Sequence, residues 1–236
     1  MLAERLTWKQ VEEYLRRRND VIIPVGSTEE HGYHLPLSTD TMIAIELARA
    51  VGERLGILVM PPIPYGVCRH TAPYPGTTGV GFDSLRNFVG DILDDLRRKG
   101  FKVFYLITGH AGSAHKVALR EAGRSLLTKG AEVYVIDPYE VEISDLLEGG
   151  KAPPFPGHAD EVETSLMLHL RRELVDEGKI VDELPKLERF RLTEARPTVS
   201  GVFGRPMLAS REKGEKIFNR MVDEIVKIIR SREQSP

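Results

Sequence analysis

An α/β sandwich built on a largely parallel sheet, covered on both faces, is the fold this sequence predicts, and three observations predict it. Four short apolar runs rich in β-branched and aromatic residues recur up to Asp137. Stretches with helical periodicity separate them. Histidines and acids gather just after the runs rather than within them.

The elements follow in order. The charged stretch LRRRND reads as a helix surface, and after it VIIPVGS (21–27) is the first strand. A helical period over 41–55 stops at Gly56 and leads into ILVMPPI (57–63), the second strand. Leu85, Phe88, Val89, Ile92, Leu93 and Leu96 then mark one face of a helix that Gly100 ends. KVFYLIT (102–108), a helix over 114–127 with Gly130 as its stop, and AEVYVID (131–137) complete the alternation. Strand and helix repeated in this way build a parallel sheet buried on both faces. Beyond Asp137 the pattern changes to a Gly/Pro-rich loop, EGGKAPPFPGHAD (148–160), and a helix near 163–172. A second irregular stretch, RFRLTEARPTVSGVFGRPML, precedes a long helix with Ile217, Met221, Ile225, Ile228 and Ile229 on one face. Without repeats, low-complexity tracts or a long linker, 1–236 reads as a single domain with elaborated loops.

Composition narrows the function classes. Lys and Arg total 33 against 35 Asp and Glu, a net charge of −2, so there is no basic footprint for nucleic acid. No run of about 18 apolar residues is present to span a membrane, and the charged N-terminal segment lacks the apolar stretch of a signal peptide. The single cysteine, Cys68, excludes an internal disulfide and fits a reducing compartment. The expectation is a soluble cytoplasmic protein.

Chemistry is expected where the strands end. Glu29, Glu30 and His31 follow the first run, His70 the second and His110 the third, while Asp137 closes the fourth. In a parallel sheet those ends share one edge, beyond which ligands bind. Six of the seven histidines lie in strand-end loops, at the start of a following helix or in the loop at 148–160; only His169 sits well inside a predicted helix. Mixed imidazole and carboxylate donors suit zinc, manganese or iron. Asp40, with two carboxylate oxygens, is either a helix cap, a ligand able to bridge two ions, or both.

Taken together these segments resemble the creatininase (creatinine amidohydrolase) family. PVGSTEEHGYHLPLSTD is similar to its PxGSxEQHGxHLPLxTD signature, and PIPYGVCRHTAPYPGTTGV to its PxxxYGxSxEHxxFPGTxSL segment. LITGHAGSAHK, GHADEVETSLML and VSGVFGRPMLASREKGEKIF resemble the family's NGHGGN, HAGExETSxML and GVxGDPxxAxxEKG motifs, in the same order. The resemblance implies a three-layer αβα fold, two divalent metal ions per chain (zinc, manganese or iron), hydrolysis of a carbon–nitrogen bond in a small amide, and a homo-oligomer, often a hexamer. It also implies Glu29 and His110 on one ion, His31 on the other, Asp40 between them, and His158 in proton transfer.

Several positions depart from the family pattern. Gly112 stands where creatininase carries a second-ion glutamate, which makes Glu163 the candidate replacement and Glu161 the fallback. Ser113, Thr108, Ala111 and Asp160 also depart, so creatinine is not the expected substrate. Glu30, where glutamine is usual, is either a solvated loop acid or a catalytic partner near the metals. His34 either bonds a loop or touches substrate, His70 shapes the substrate pocket, and Gly112 and Ser113 line it. His115 reads as a surface or supporting residue. Cys68 reads as a small buried filler, and Arg69 and Arg205 are possible anchors for an anionic substrate group. The functions in view are an amidohydrolase, a peptidase acting on a cofactor-precursor peptide, and a non-catalytic metal-binding protein on the same fold.

Overall fold

A computed structural model describes residues 1–148, 157–184 and 195–234. Parts of the loops expected at 148–160 and 189–208 lie outside the described residues. The chain runs α1 (Trp8–Leu15), β1 (Asp20–Val25), α2 (Thr39–Leu55), β2 (Leu58–Val59), α3 (Phe82–Arg98), β3 (Val103–Thr108), α4 (Ser113–Leu127), β4 (Glu132–Ile136), α5 (Glu161–Leu170) and α6 (Arg211–Glu233).

The four strands form one parallel sheet in the order β2-β1-β3-β4. Asp20 pairs with Val103 and Val25 with Thr108, so β1 and β3 end level with each other. Alternate side chains go to opposite faces. Ile22, Tyr105 and Ile107 pack with residues of α2, α5 and α6. Val21, Ile23, Val25, Phe104 and Leu106 pack with residues of α1, α3 and α4. Helices on both faces make the three-layer αβα sandwich.

Several local expectations are corrected. The second strand shrinks to two residues, because Pro61 and Pro62 have no N–H to donate; the chain still tracks β1 through Ile63 N–H to the Pro24 carbonyl, 3.0 Å. Phe88 is 56% exposed although its period places it with the core of α3, and Ile228 on α6 is also exposed, because each lies at the margin of its apolar stripe. α5 starts two residues early because Asp160 caps it, accepting from the N–H groups of Val162 and Glu163.

Candidate metal centre

The strand order reverses direction between β1 and β3, the switch point at which open parallel sheets bind ligands. The loop after β1 supplies Glu29 and His31, and the loop after β3 supplies His110. Asp40 lies in the first turn of α2, whose amino-terminal dipole favours an anion. It is not the cap of α2, a position held by Ser38. Close approach of the two chain segments requires glycine at 109, where a Cβ would come within 2.0 Å of the Asp40 carbonyl oxygen.

Asp40 divides its carboxylate between two donor sets. Its Oδ1 lies 2.9 Å from His31 Nε2. Its Oδ2 lies 3.0 Å from His110 Nδ1, which is also 2.8 Å from Glu29 Oε2. The remaining nitrogens fix both rings: His31 Nδ1 donates to the Glu29 carbonyl at 3.0 Å, and His110 Nε2 to the Val67 carbonyl at 3.2 Å. Backbone acceptors of this kind orient an imidazole so that its other nitrogen faces a metal.

Two clusters of ligating side chains result. Glu29, Cys68 and His110 offer donor atoms within 4.8 Å of one another, and so do His31, His158 and Glu163. All but His158 are buried, and that side chain is 13% exposed. Glu163 reaches the second cluster because Ala159, at φ 48°, turns the chain sharply and donates its N–H to Glu163 Oε2 at 2.6 Å. Glu161 is held elsewhere, by Lys213 Nζ and the N–H of Glu148 (3.0 Å), so the fallback is set aside.

The electrostatics fit a cationic guest. Burial disfavours charge at His31, yet Asp40 and Glu163 outweigh it and hold the imidazole well above its ordinary value. Glu29 and Asp40 do the same for His110. Conversely, burial raises Glu29, but His110 pulls it down to about 2, and His31 and His110 hold Asp40 well below the carboxylate range. Buried carboxylates of this density need protons or metal ions as counter-charge, and the imidazole–carboxylate donor set fits divalent ions.

His158 is pinned by an antiparallel bridge to Phe203. Its Nε2 donates to the Glu30 carbonyl at 2.7 Å and lies 3.2 Å from Glu30 Oε1, and its ring centre lies 4.4 Å from that of His31 with the planes tilted. Burial and the His31 charge lower its pKa, but Glu30, Glu29 and Glu163 prevail and raise it to about 9. Glu30 is therefore no solvated loop acid; it is buried, and its Oε2 accepts from the Gly32 N–H at 2.9 Å.

The other sequence candidates distribute unevenly. His34 is buried with Nε2 2.8 Å from Thr164 Oγ1. His70 and Ser113 are exposed and Gly112 is half-buried. A Cβ on Gly112 would come to 2.5 Å from His110 Nε2, so with the ring in this orientation the position suits glycine rather than the glutamate of creatininase itself. His115 is fully buried edge-on to His110 at 4.9 Å, correcting the surface reading; its Nδ1 accepts from Val67 N–H. Asp137 does not join the centre, being paired with Lys116 Nζ at 2.6 Å. Sequence reasoning missed Ser27, whose hydroxyl donates to Asp40 Oδ2 at 2.7 Å, and Thr71, which donates to Glu29 Oε1. Thr71 follows directly on His70 and Ser27 lies two residues before Glu29, but single hydroxyls in loops carry no periodic signal.

The chain is similar to known proteins along nearly its whole length. The profile of the creatininase family, described as creatinine amidohydrolase, matches residues 4–229. The creatinine amidohydrolase of Pseudomonas putida is 31% identical over 248 residues, covering 95% of this chain and 94% of that protein. The mycofactocin precursor peptide peptidase of Mycobacterium ulcerans is 32% identical over 226 residues, covering 87% and 82%. Among solved structures, a substituted creatininase of Zn–Zn type superposes with a TM-score of 0.86 at 29% identity, over 99% of this chain and 98% of that one. A creatininase with Mn gives 0.86 at 28% identity, over 99% of each chain.

Proposed function

Because this chain belongs to the creatininase family of amidohydrolases, we propose that it hydrolyses a carbon–nitrogen bond of a small amide, formamide or cyclic amide at a two-metal centre. The observation that carries the reading is the divided carboxylate of Asp40, one oxygen towards His31 and the other towards His110. Glu29 and His110 would hold one ion, His31 and Glu163 the other. Divalent ions so placed supply an activated water and Lewis acidity towards the amide oxygen. Zinc and manganese are the candidates that the solved relatives support, with iron a third.

The chain's own residues do the rest. Ser27 and Thr71 hold the Asp40 and Glu29 carboxylates in place. The protonated His158 imidazole, poised beside Glu30, delivers a proton to the departing nitrogen as general acid. A cavity of about 350 Å³ lined by Val67, Cys68, Arg69, Thr77, Gly79 and Phe82 adjoins the centre at Cys68 and suits a small substrate. Arg69, exposed at that cavity, could meet an anionic substituent. The peptidase relative gives a peptide substrate as the second reading. The same proposal includes a homo-oligomer, up to a hexamer, working in the cytoplasm; no helix among the described residues is long and apolar enough to cross a membrane.

The test is a panel of formamides, cyclic amides and short peptides offered to metal-loaded protein, with formate, amine and new amino termini measured separately. Turnover of small amides supports the proposal, and cleavage of peptides alone replaces it with the peptidase reading. Retained metal with no turnover in any class would leave a non-catalytic metal-binding protein.

A further inference from the structure

We propose that the Cys68 thiolate is a ligand of the ion held by Glu29 and His110, making that half of the centre selective for thiophilic metals such as zinc or cobalt over manganese. The proposal rests on the metal-centre reading above and adds a donor that this reading does not use.

Three observations carry it. First, a thiol, a carboxylate and an imidazole from three separate stretches of chain offer donor atoms within 4.8 Å of one another, all buried. Second, the cysteine is placed by a clamp rather than by loose packing. The residue before it, Val67, accepts from His110 Nε2 through its carbonyl and donates its N–H to His115 Nδ1 at 3.3 Å. The main chain that carries Cys68 is therefore fixed to the ring whose other nitrogen faces Glu29 and Asp40. Third, the side chain lines the cavity beside the centre while remaining only 7% exposed. The sulfur thus sits with the carboxylate and imidazole donors at the edge of that cavity.

The consequence is an asymmetric pair of sites. Sulfur is a soft donor that favours zinc and cobalt, whereas carboxylate and imidazole alone also accept manganese. Cys68 is the chain's single cysteine, so the cluster of His31, His158 and Glu163 has no sulfur available within the chain. Forming the sulfur–metal bond releases the thiol proton to solvent, and the metal's charge replaces it.

Cobalt(II) added to metal-free protein in thiol-free buffer tests this. The expected result is a near-ultraviolet thiolate-to-cobalt charge-transfer band that grows together with the visible ligand-field bands. Only Cys68 can be its source, because the chain contains no other thiol. In Cys68→Ser and Cys68→Ala the charge-transfer band is lost while the ligand-field bands persist. Wild-type protein with ligand-field bands but no charge-transfer band overturns the proposal and leaves the metal centre standing. Failure of wild-type protein to bind cobalt at all, by spectrum and by elemental analysis, overturns the proposal and the metal-centre reading together. The wild-type spectrum decides between these outcomes even if both variants misfold.

Discussion

Glu163, carried by α5, brings its Oε2 to 3.7 Å from Nε2 of His31, carried by the loop after β1. In the proposed two-metal reading this carboxylate takes the role left open by Gly112, and it arrives from a different element altogether. Glu163→Gln should lower metal content from about two ions per chain towards one, whereas Glu161→Gln, which disturbs contacts with Lys213 and the Glu148 N–H away from the centre, should leave it unchanged. Elemental analysis of untagged protein purified without chelator measures both. Equal metal in wild type and Glu163→Gln would remove Glu163 from the centre.

His158 is a member of the second donor cluster, but the proposed function uses it as the proton donor, with Asp40, His31 and Glu163 as the donors on that side. Its replacement by alanine should cut kcat by about 10²–10⁴-fold, the range for loss of a general acid, with metal content intact. If metal and activity disappear together, His158 is a ligand.

Gly112→Ala tests the orientation of His110. The added methyl would meet His110 Nε2 at 2.5 Å, forcing the ring to break its bond to the Val67 carbonyl. Metal affinity should fall by about 10–100-fold, as when a partner that orients a ligand is lost. Isothermal titration with zinc reads the change, and an unaltered affinity would show that the ring adapts without cost.

In metal-free protein, stability should peak near pH 6.5 and decline on both sides. His115 and His34, depressed to about 3 and about 4 by burial and by the neighbouring imidazolium charges, bind fewer protons folded than unfolded. Their contribution is present above 6.5 and is lost as the pH falls through those values. His158, raised to about 9, behaves oppositely. Its contribution is complete below 6.5 and is lost as the pH rises through 9, and His31 and His110 act in the same sense. Melting curves in chelator between pH 4 and 9 follow both limbs. Zinc should restore stability chiefly on the alkaline limb, where protons no longer compensate Asp40 and Glu29. A flat profile would contradict this account.

Much of this was legible because the parallel sheet forces it. Strand ends must share an edge, so Glu29, His31 and His110 could be brought together from sequence, and the family motifs added Asp40, His158 and Glu163. What was illegible depends on side-chain direction within loops. His70 also follows a strand and in sequence reads as shaping the substrate pocket, but it is exposed, and it is its neighbour Thr71 that reaches Glu29. His115 opens a helix in sequence, but the crossing of the Val67 segment buries it. Phe88 obeyed the helical period and still faces solvent, since period fixes an angle around the helix and not where the covering layer stops.

The left-handed turn at Ala159 has a consequence for how the molecule is made. Glu163 and His31 are over a hundred residues apart in sequence, and on the ribosome the β1 loop emerges long before the chain that must return to it. Until α5 docks, any ion attracted to the early half meets Glu29, Asp40, His31 and His110 without its last carboxylate. The finished centre is therefore acquired only after synthesis has passed α5, and the metal in place at that moment is set by supply in the cell as well as by the ligands. On the proposed two-metal reading, a protein overproduced in one growth medium would then carry a different metal complement from the same protein made in another.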